Sequence, residues 1–142
     1  MRTVRDEDGR EFLLLKESGE SSRLRDPETG EECHRPNDEL TVVDGATPLE
    51  TAANGVPEAV RALLTATPSE RALGLLLDLD ERGPTPARTL TSAYDLCESD
   101  LNGLLTQFRV AGLIEETRVA GRPGYRTTER ATEAIDRLRD DE

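Results

Sequence analysis

The sequence predicts an α+β chain: a small N-terminal antiparallel β meander, a helical connector, and two helices joined by a turn and followed by a hairpin. Turn-bounded strand patterns fill the first 44 residues. Capping motifs begin helices after residue 46, and two apolar helical stripes flank a turn between residues 86 and 112. The predicted domains are 1–45, the β module, 46–66, the connector, and 67–142, the helix–turn–helix domain.

The β module is predicted from alternation and turn chemistry. Phe12–Leu15 is apolar at every position, so this strand should be central and covered on both faces. Asp26–Gly30 has Pro27 at the second position of a turn and glycine at its close. A sheet this small is expected to pack on a helix or on a second copy. The predicted strands are Thr3–Arg5, Glu11–Glu17, Ser21–Arg25, Glu31–Arg35 and Leu40–Val43.

Two capping boxes begin the next helices. Thr47–Glu50 starts a helix through Ala53, and a second helix restarts at Pro57. Thr67–Glu70 starts a third helix, in which leucines on most sides predict deep burial. The predicted apolar side of the second helix is Val56, Val60, Leu63 and Leu64. The last helix of the chain is predicted to begin with Thr128 as its N-cap. Its predicted apolar side is Ala131, Ala134, Ile135 and Leu138.

The paired helices follow. Thr85 is the predicted N-cap of the first, with Pro86 at N1, and Leu96 fills the corner at the turn Asp95–Cys97. Ser99 is the predicted N-cap of the second helix. The first helix is expected to bury Ala87, Leu90, Ala93 and Tyr94, and the second Leu101, Leu104, Leu105 and Phe108 before Gly112 ends it in the left-handed conformation.

A hairpin completes the pattern: a strand through Leu113, Ile114 and Val119, a turn over Ala120–Gly124, and a return strand at Tyr125–Thr127. Helix, turn, helix and hairpin is the order of a winged helix-turn-helix. Residues 67–139 resemble the winged-helix transcription regulators of the MarR and ArsR type, and the whole arrangement resembles haloarchaeal winged-helix proteins. The resemblance implies sequence-specific binding of double-stranded DNA in transcriptional control, by a homodimer that reads two half-sites.

In the resembled families the outward face of the second helix meets the major groove, which implies base contacts here. The implied base-side residues are Ser99, Asn102, Gly103, Thr106 and Gln107. Arginines on the hairpin and the preceding helix are expected to contact backbone phosphates; these are Arg88, Arg118, Arg122 and Arg126. The alternative for them is pairing with Glu115, Glu116 and Glu129.

Acidic residues leave a second function open. Glu98 and Asp100 would face phosphates, although Asp100 is equally explained as a helix-start anion worth about 0.3–1 kcal/mol. The alternative is a winged helix that binds protein, as an adaptor of the transcription or replication machinery. In either case the β module is expected to sense a ligand, to hold the dimer together, or to bind a partner protein.

Charge is the strongest compositional feature. The chain has 30 acidic and 18 basic residues, a formal net charge of −12, and Lys16 as its one lysine. This composition is typical of proteins from a high-salt cytoplasm and predicts a halophilic archaeal, cytoplasmic protein; an acidic partner surface is the alternative. No apolar run predicts a membrane span, and the N-terminus lacks a signal-peptide core.

Catalytic and metal-binding patterns are weak. His34 is the one histidine and adjoins Cys33, but a structural zinc site needs about four ligands at chelating spacing. Adjacent strand residues point to opposite faces, which disfavours a Cys–His nucleophilic pair. We therefore expect no enzyme activity, no metal and no cofactor.

Overall fold

The computed structural model describes residues 1–45 and 47–140, which form two antiparallel sheets and six α-helices. The predicted mixed α+β class is thereby confirmed. The chain divides into two compact units, residues 1–57 and residues 58–142. The first position of the predicted connector, Ala46, lies outside the described residues; the connector's first helix belongs to the first unit and its second helix to the second unit.

The first unit is a five-stranded sheet with the strand order β4-β3-β2-β1-β5. A 3₁₀ turn at Asn37–Glu39 separates the last two strands. The central strand is β2, and its residues 12–14 are buried, as their apolar run predicts. The strands are β1 (Arg2–Arg5), β2 (Glu11–Glu17), β3 (Ser21–Arg25), β4 (Glu32–Pro36) and β5 (Thr41–Val42).

The two faces of this sheet differ. One face carries the buried core residues Val4, Phe12, Leu14 and Leu24. On the other face, helix α1 (Pro48–Ala52) packs against β1 and β2. A hydrogen bond of 2.6 Å joins the hydroxyls of Thr3 and Thr51 beneath it, and the Thr47 hydroxyl accepts from the Glu50 amide as the capping box predicts.

Two aspartates organise the turns at one end of the sheet. The Oδ1 atom of Asp6, after β1, accepts hydrogen bonds from the amides of Asp8 and Arg10 at 3.0 and 2.9 Å. The Oδ1 atom of Asp26, after β3, accepts from the Glu28 amide at 2.9 Å. Both turns therefore use an aspartate to hold their own backbone.

The remaining carboxylate oxygens join the two hairpins. Asp26 pairs with Arg10 of the β1–β2 hairpin, whereas Asp6 lies 3.5 Å from Arg35 of the β3–β4 hairpin. Both guanidinium groups approach the ring of Phe12, at 5.5 and 5.6 Å from its centre. Each hairpin thus supplies the arginine for the other hairpin's aspartate.

The second unit contains five helices and a three-stranded sheet of order β6-β8-β7 among its described residues. Its core is aliphatic around Phe108, with α2 packed on α6. The elements are α2 (Glu58–Ala66), α3 (Glu70–Arg82), β6 (Thr85–Pro86), α4 (Ala87–Ala93), α5 (Glu98–Val110), β7 (Ile114–Val119), β8 (Arg122–Thr127) and α6 (Glu129–Arg139).

Three predicted helix starts are wrong by one or two residues. Helix α3 is capped by Ser69, whose hydroxyl accepts from the Ala72 amide, while the Thr67 hydroxyl donates to the last turn of α2. Thr85 pairs with β8, so α4 begins only after Pro86. Helix α5 begins after Cys97, which places Ser99 in its first turn.

Some predicted burial and turn assignments also need correction. Leu64 and Leu138 are 54% and 50% exposed, although both continue apolar stripes, and Ala93 is exposed as well. The hairpin turn contains only Ala120 and Gly121, because residues 122–124 already pair with β7. Thr128 caps α6 as predicted, accepting from the Ala131 amide.

Candidate nucleic-acid interface

Helices α4 and α5 are joined by a turn that a polar cluster fastens to α3. Tyr94, directly after α4, donates its hydroxyl proton to Asp78 of α3, and Arg82 donates to the same carboxylate at 2.8 Å. The Arg82 guanidinium also lies 5.9 Å from the centre of the Tyr94 ring. The cluster fixes the chain where the direction of the two helices changes.

The cluster shifts the pKa values of its carboxyl and phenol groups. Hydrogen bonds from Tyr94 and then Arg82 hold the pKa of Asp78 below its ordinary value. Burial, followed by the hydrogen bond to Asp78, raises the pKa of Tyr94 to about 12. Both shifts preserve a neutral phenol donating to an ionised carboxylate at neutral pH.

Helix α5 is seated by an apolar stripe. Leu101, Leu105 and Phe108 are buried, and Leu104 is half-buried, as the spacing predicts. The helix ends at Val110, and Gly112, two residues later, has φ +76°. The amide of Leu113 reaches back to the Phe108 carbonyl at 2.9 Å, which is the Schellman arrangement. This end fixes where the chain leaves α5 for the hairpin.

The opposite side of α5 is open to solvent. The five residues predicted for base contact are all exposed. At 100° per residue, Ser99, Gly103 and Thr106 lie at the centre of this side, while Asn102 and Gln107 lie on its two flanks. The Asn102 and Gln107 side chains make no hydrogen bond within residues 1–45 and 47–140, so their amide groups are free to bind a ligand.

A groove beside this surface adds a residue that sequence reasoning missed. It encloses about 400 Å³ between the start of α3 and one flank of α5. Arg71, in the first turn of α3, lines it together with Ser99, Gly103 and Gln107. In the sequence only the position of Arg71 just after a helix cap could have indicated it, because most of the other groove residues come from α5.

The hairpin of β7 and β8 stands next to α5. Ala120 and Gly121 have φ +52° and +79°, as a two-residue type I′ turn requires. Gly124 meets the short strand β6 so closely that a Cβ there would lie 2.5 Å from the Thr85 carbonyl oxygen. An ion pair between Arg109 and Glu116 links α5 to β7.

The four arginines predicted for phosphate contact differ in whether their guanidinium groups already have a partner in the chain. Arg126 pairs with Glu115 at 2.7 Å, as the alternative interpretation expects. Arg118 donates to the Gly121 carbonyl at 3.0 Å and braces the turn. Arg88 and Arg122 are exposed, and their guanidinium groups have no polar partner within the described part of the chain. All four lie on the hairpin or on α4, which packs against β8.

The charge of this surface is close to balanced. The arginines are Arg88, Arg109, Arg118, Arg122 and Arg126; the carboxylates are Glu98, Asp100, Glu115 and Glu116.

Other kinds of site receive little support. The residues that the structure describes contain no group of three or more His, Cys, Asp or Glu side chains arranged to hold a metal ion. Cys33 is half-buried against the core of the first unit, and His34 is exposed on the other face of β4. Among residues 1–45 and 47–140, no helix has the length and apolarity needed to span a bilayer.

Two helices joined by a turn, an outward polar face on the second helix and an adjoining arginine-bearing hairpin define the architecture of the second unit. The chain belongs to the family described as "Family of unknown function (DUF7346)", which matches residues 1–139. No curated protein matches the sequence. Among solved structures, the ArsR-like Transcriptional Regulator from Rhodococcus sp. RHA1 is similar, with 19% identity, a TM-score of 0.48, and coverage of 60% of this chain and 80% of that one.

Proposed function

We propose that the chain is a sequence-specific DNA-binding regulator of transcription, of the winged helix-turn-helix type. The observation that carries this proposal is the exposed polar side of α5 next to the hairpin. On this side the Asn102 and Gln107 side-chain amides are free, and the nearby guanidinium groups of Arg88 and Arg122 have no polar partner in the described residues. An α-helix fits the major groove, and these side-chain types recognise base edges.

The proposed contacts divide by chemistry. Asn102 and Gln107 would pair with adenine, and the Thr106 methyl would meet a thymine methyl, with Ser99 and Gly103 allowing close approach. Arg122 and Arg88 would bind phosphates, because nothing in the described chain competes for them. Arg118 and Arg126 would contribute less, since the turn carbonyl and Glu115 already hold them.

The proposed setting is a homodimer in a high-salt, haloarchaeal cytoplasm. A dimer would read two half-sites. At molar salt the Debye length is about 3 Å, so Glu98 and Asp100 would repel phosphates only at close range. A balanced surface is therefore compatible with DNA binding in such a cytoplasm.

Binding measurements test the proposal. Genome-wide crosslinking of the tagged protein in its host would supply a cognate sequence. Fluorescence anisotropy on cognate and scrambled duplexes, at fixed potassium chloride, would then compare variants. We expect Arg122→Ala to weaken binding to both duplexes alike, and Gln107→Ala to reduce the preference for the cognate duplex by about 1–3 kcal/mol.

Arg137→Ala on α6 is the matched control, because Arg137 is exposed and pairs with Glu133 of its own helix. It should leave both affinities unchanged. A wild-type chain without cognate preference at any salt concentration would refute sequence-specific recognition. Full affinity in the Arg122 variant would remove the hairpin from the binding surface.

A protein-binding adaptor is the second candidate, and one observation favours it. Val110, at the end of α5, is 83% exposed, and Glu98 and Asp100 lie at the other end of the helix. An exposed apolar residue and a carboxylate-bearing helix start fit a protein interface better than a DNA groove. Affinity purification that recovers the same polymerase or replication subunit with wild type, and loses it with Val110→Asp, would favour the adaptor.

A further inference from the structure

The basic residues of the first unit are concentrated on one face of its sheet. Strand register places Lys16 of β2 opposite Arg23 of β3, and Arg23 opposite His34 of β4. Arg25 lies two residues from Arg23 and therefore on the same face. The chain's one lysine and one histidine thus share a single row with an arginine.

This face is only partly covered. The core residues Phe12, Leu14 and Leu24 point to the opposite face, whereas α1 packs over β1 and β2 on this one, where Thr3 and Leu13 are buried. Lys16, Arg23, Arg25 and His34 are all exposed. We call these four residues the basic sheet face.

The strand residues of this face carry more basic than acidic side chains, although the whole chain has a formal net charge of −12. By register the strand carboxylates on this face are Glu11 and Glu32, and each already has an arginine: Arg5 at 3.7 Å and Arg23 at 3.4 Å. Lys16 and Arg25 have no polar partner within residues 1–45 and 47–140. Among the strand residues of this face, two cations and a histidine are therefore left without a carboxylate partner.

We propose that the basic sheet face binds the phosphate backbone of nucleic acid, as a second contact surface separate from α5 and its hairpin. Neighbouring strands are about 4.8 Å apart, so the row of Lys16, Arg23 and His34 spans roughly 10 Å of charged surface. Such a row binds phosphates by charge without reading sequence.

The composition of the face favours nucleic acid over an acidic protein. Protein interfaces have an apolar or aromatic centre. The exposed residues of β3 and β4 on this face are arginine, histidine, glutamate and proline, with no Phe, Tyr or Trp. Binding would therefore depend on charge, as backbone recognition does, and would weaken as the salt concentration rises.

The test measures how salt changes affinity for a random-sequence 30-base-pair DNA duplex. The full chain is compared with Lys16→Gln/Arg25→Gln, and circular dichroism confirms folding at each potassium chloride concentration. Each lost phosphate contact reduces the slope of log K against log salt by about one, so we expect the slope of the double variant to be shallower by about two. The control, Arg137→Gln/Arg139→Gln on α6, removes the same charge and should keep the wild-type slope.

Further arms separate the possible failures. Lys16→Arg/Arg25→Lys keeps both charges and should bind like wild type. An unchanged slope in the Lys16/Arg25 variant would overturn the proposal, and so would an equal loss in the α6 control. If Arg122→Ala weakens DNA binding and Lys16→Gln/Arg25→Gln does not, the basic sheet face is not a DNA contact. The function proposed for α5 and its hairpin would then still stand. Polyglutamate and unlabelled DNA are compared as competitors for the labelled duplex. If polyglutamate displaces the duplex equally well, the face is assigned to an acidic protein instead.

Discussion

At the scale of single residues, Tyr94 makes the most informative contact of the second unit. Its hydroxyl donates to Asp78, so Tyr94→Phe removes the hydrogen bond and keeps the ring near Arg82. Because the carboxylate is partly exposed, we expect a loss of about 1 kcal/mol in unfolding free energy at pH 7. Urea unfolding measures it, and a variant as stable as wild type would contradict the role of this contact.

The same pair of proteins tests a pH dependence. The pKa of Tyr94 is about 12 in the folded chain, against about 10 for an unperturbed tyrosine. A raised folded-state pKa gives stability that is fully present below about pH 10 and is lost as pH rises to about 12. The stability difference between wild type and Tyr94→Phe should therefore shrink across that range. A constant difference from pH 9 to pH 12 would show that the phenol does not titrate in this way.

Gly124 is a second residue where one atom matters. A Cβ at this position would meet backbone atoms of Thr85 and Pro86 at 2.5–3.1 Å, and backbone cannot move aside as a flexible side chain would. We expect Gly124→Ala to cost about 1–3 kcal/mol. The control is Gly74→Ala in α3, where a Cβ meets nothing within 4 Å and should stabilise the helix by about 0.5–1 kcal/mol. Thermal melts measure both variants. Equal changes in melting temperature for Gly124→Ala and Gly74→Ala would refute the steric argument.

At the scale of elements, α5 depends on its buried stripe. Leu105 is 4% exposed at the middle of that stripe. Leu105→Ala should lose about 2–5 kcal/mol, because it removes apolar contact and leaves a cavity. Val110→Ala on the same helix should change stability by less than about 0.5 kcal/mol, because Val110 is almost fully exposed. Equal melting temperatures for the two variants would show that the register of α5 is wrong.

The positions of strands and helices could be predicted because they follow from local pattern. The strands at Glu11–Glu17 and Ser21–Arg25 have the predicted bounds, since turn residues delimit them on both sides. Helix starts were harder, because neighbouring residues compete as caps. Thr67 and Ser69 both fit α3 in sequence, and the choice depends on where the preceding helix ends.

Non-local contacts explain what the sequence could not predict. Thr85 looks like a cap, but its pairing with Tyr125 makes it a strand residue. The short hairpin turn requires Ala120 at positive φ, which local preference disfavours. In the candidate interface, the exposed side of α5 follows from periodicity, whereas the approach of Arg71 and the pairing of Arg126 with Glu115 depend on tertiary structure.

At the scale of the whole molecule, we propose that residues 58–142 fold without the first unit. This segment has its own core around Phe108, and its α2 and α6 pack together with an ion pair of 2.8 Å between Glu58 and Arg130. The fragment 58–142 should show a cooperative thermal transition by circular dichroism in high salt. The longer fragment 47–142 should melt at the same temperature, because α1 belongs to the first unit. A broad, non-cooperative melt of the shorter fragment alone would place the boundary before residue 58.

The reciprocal pairing of Asp6 with Arg35 and of Asp26 with Arg10 has a consequence for how the first unit opens. Both carboxylates are almost buried, so separating either hairpin would leave a charged group of the other without its partner. Solvent should therefore reach the two hairpins in a single concerted opening. Native-state hydrogen exchange should give the hydrogen-bonded amides of Arg10 and Gly30 one shared opening free energy, and Arg35→Gln should lower it for both.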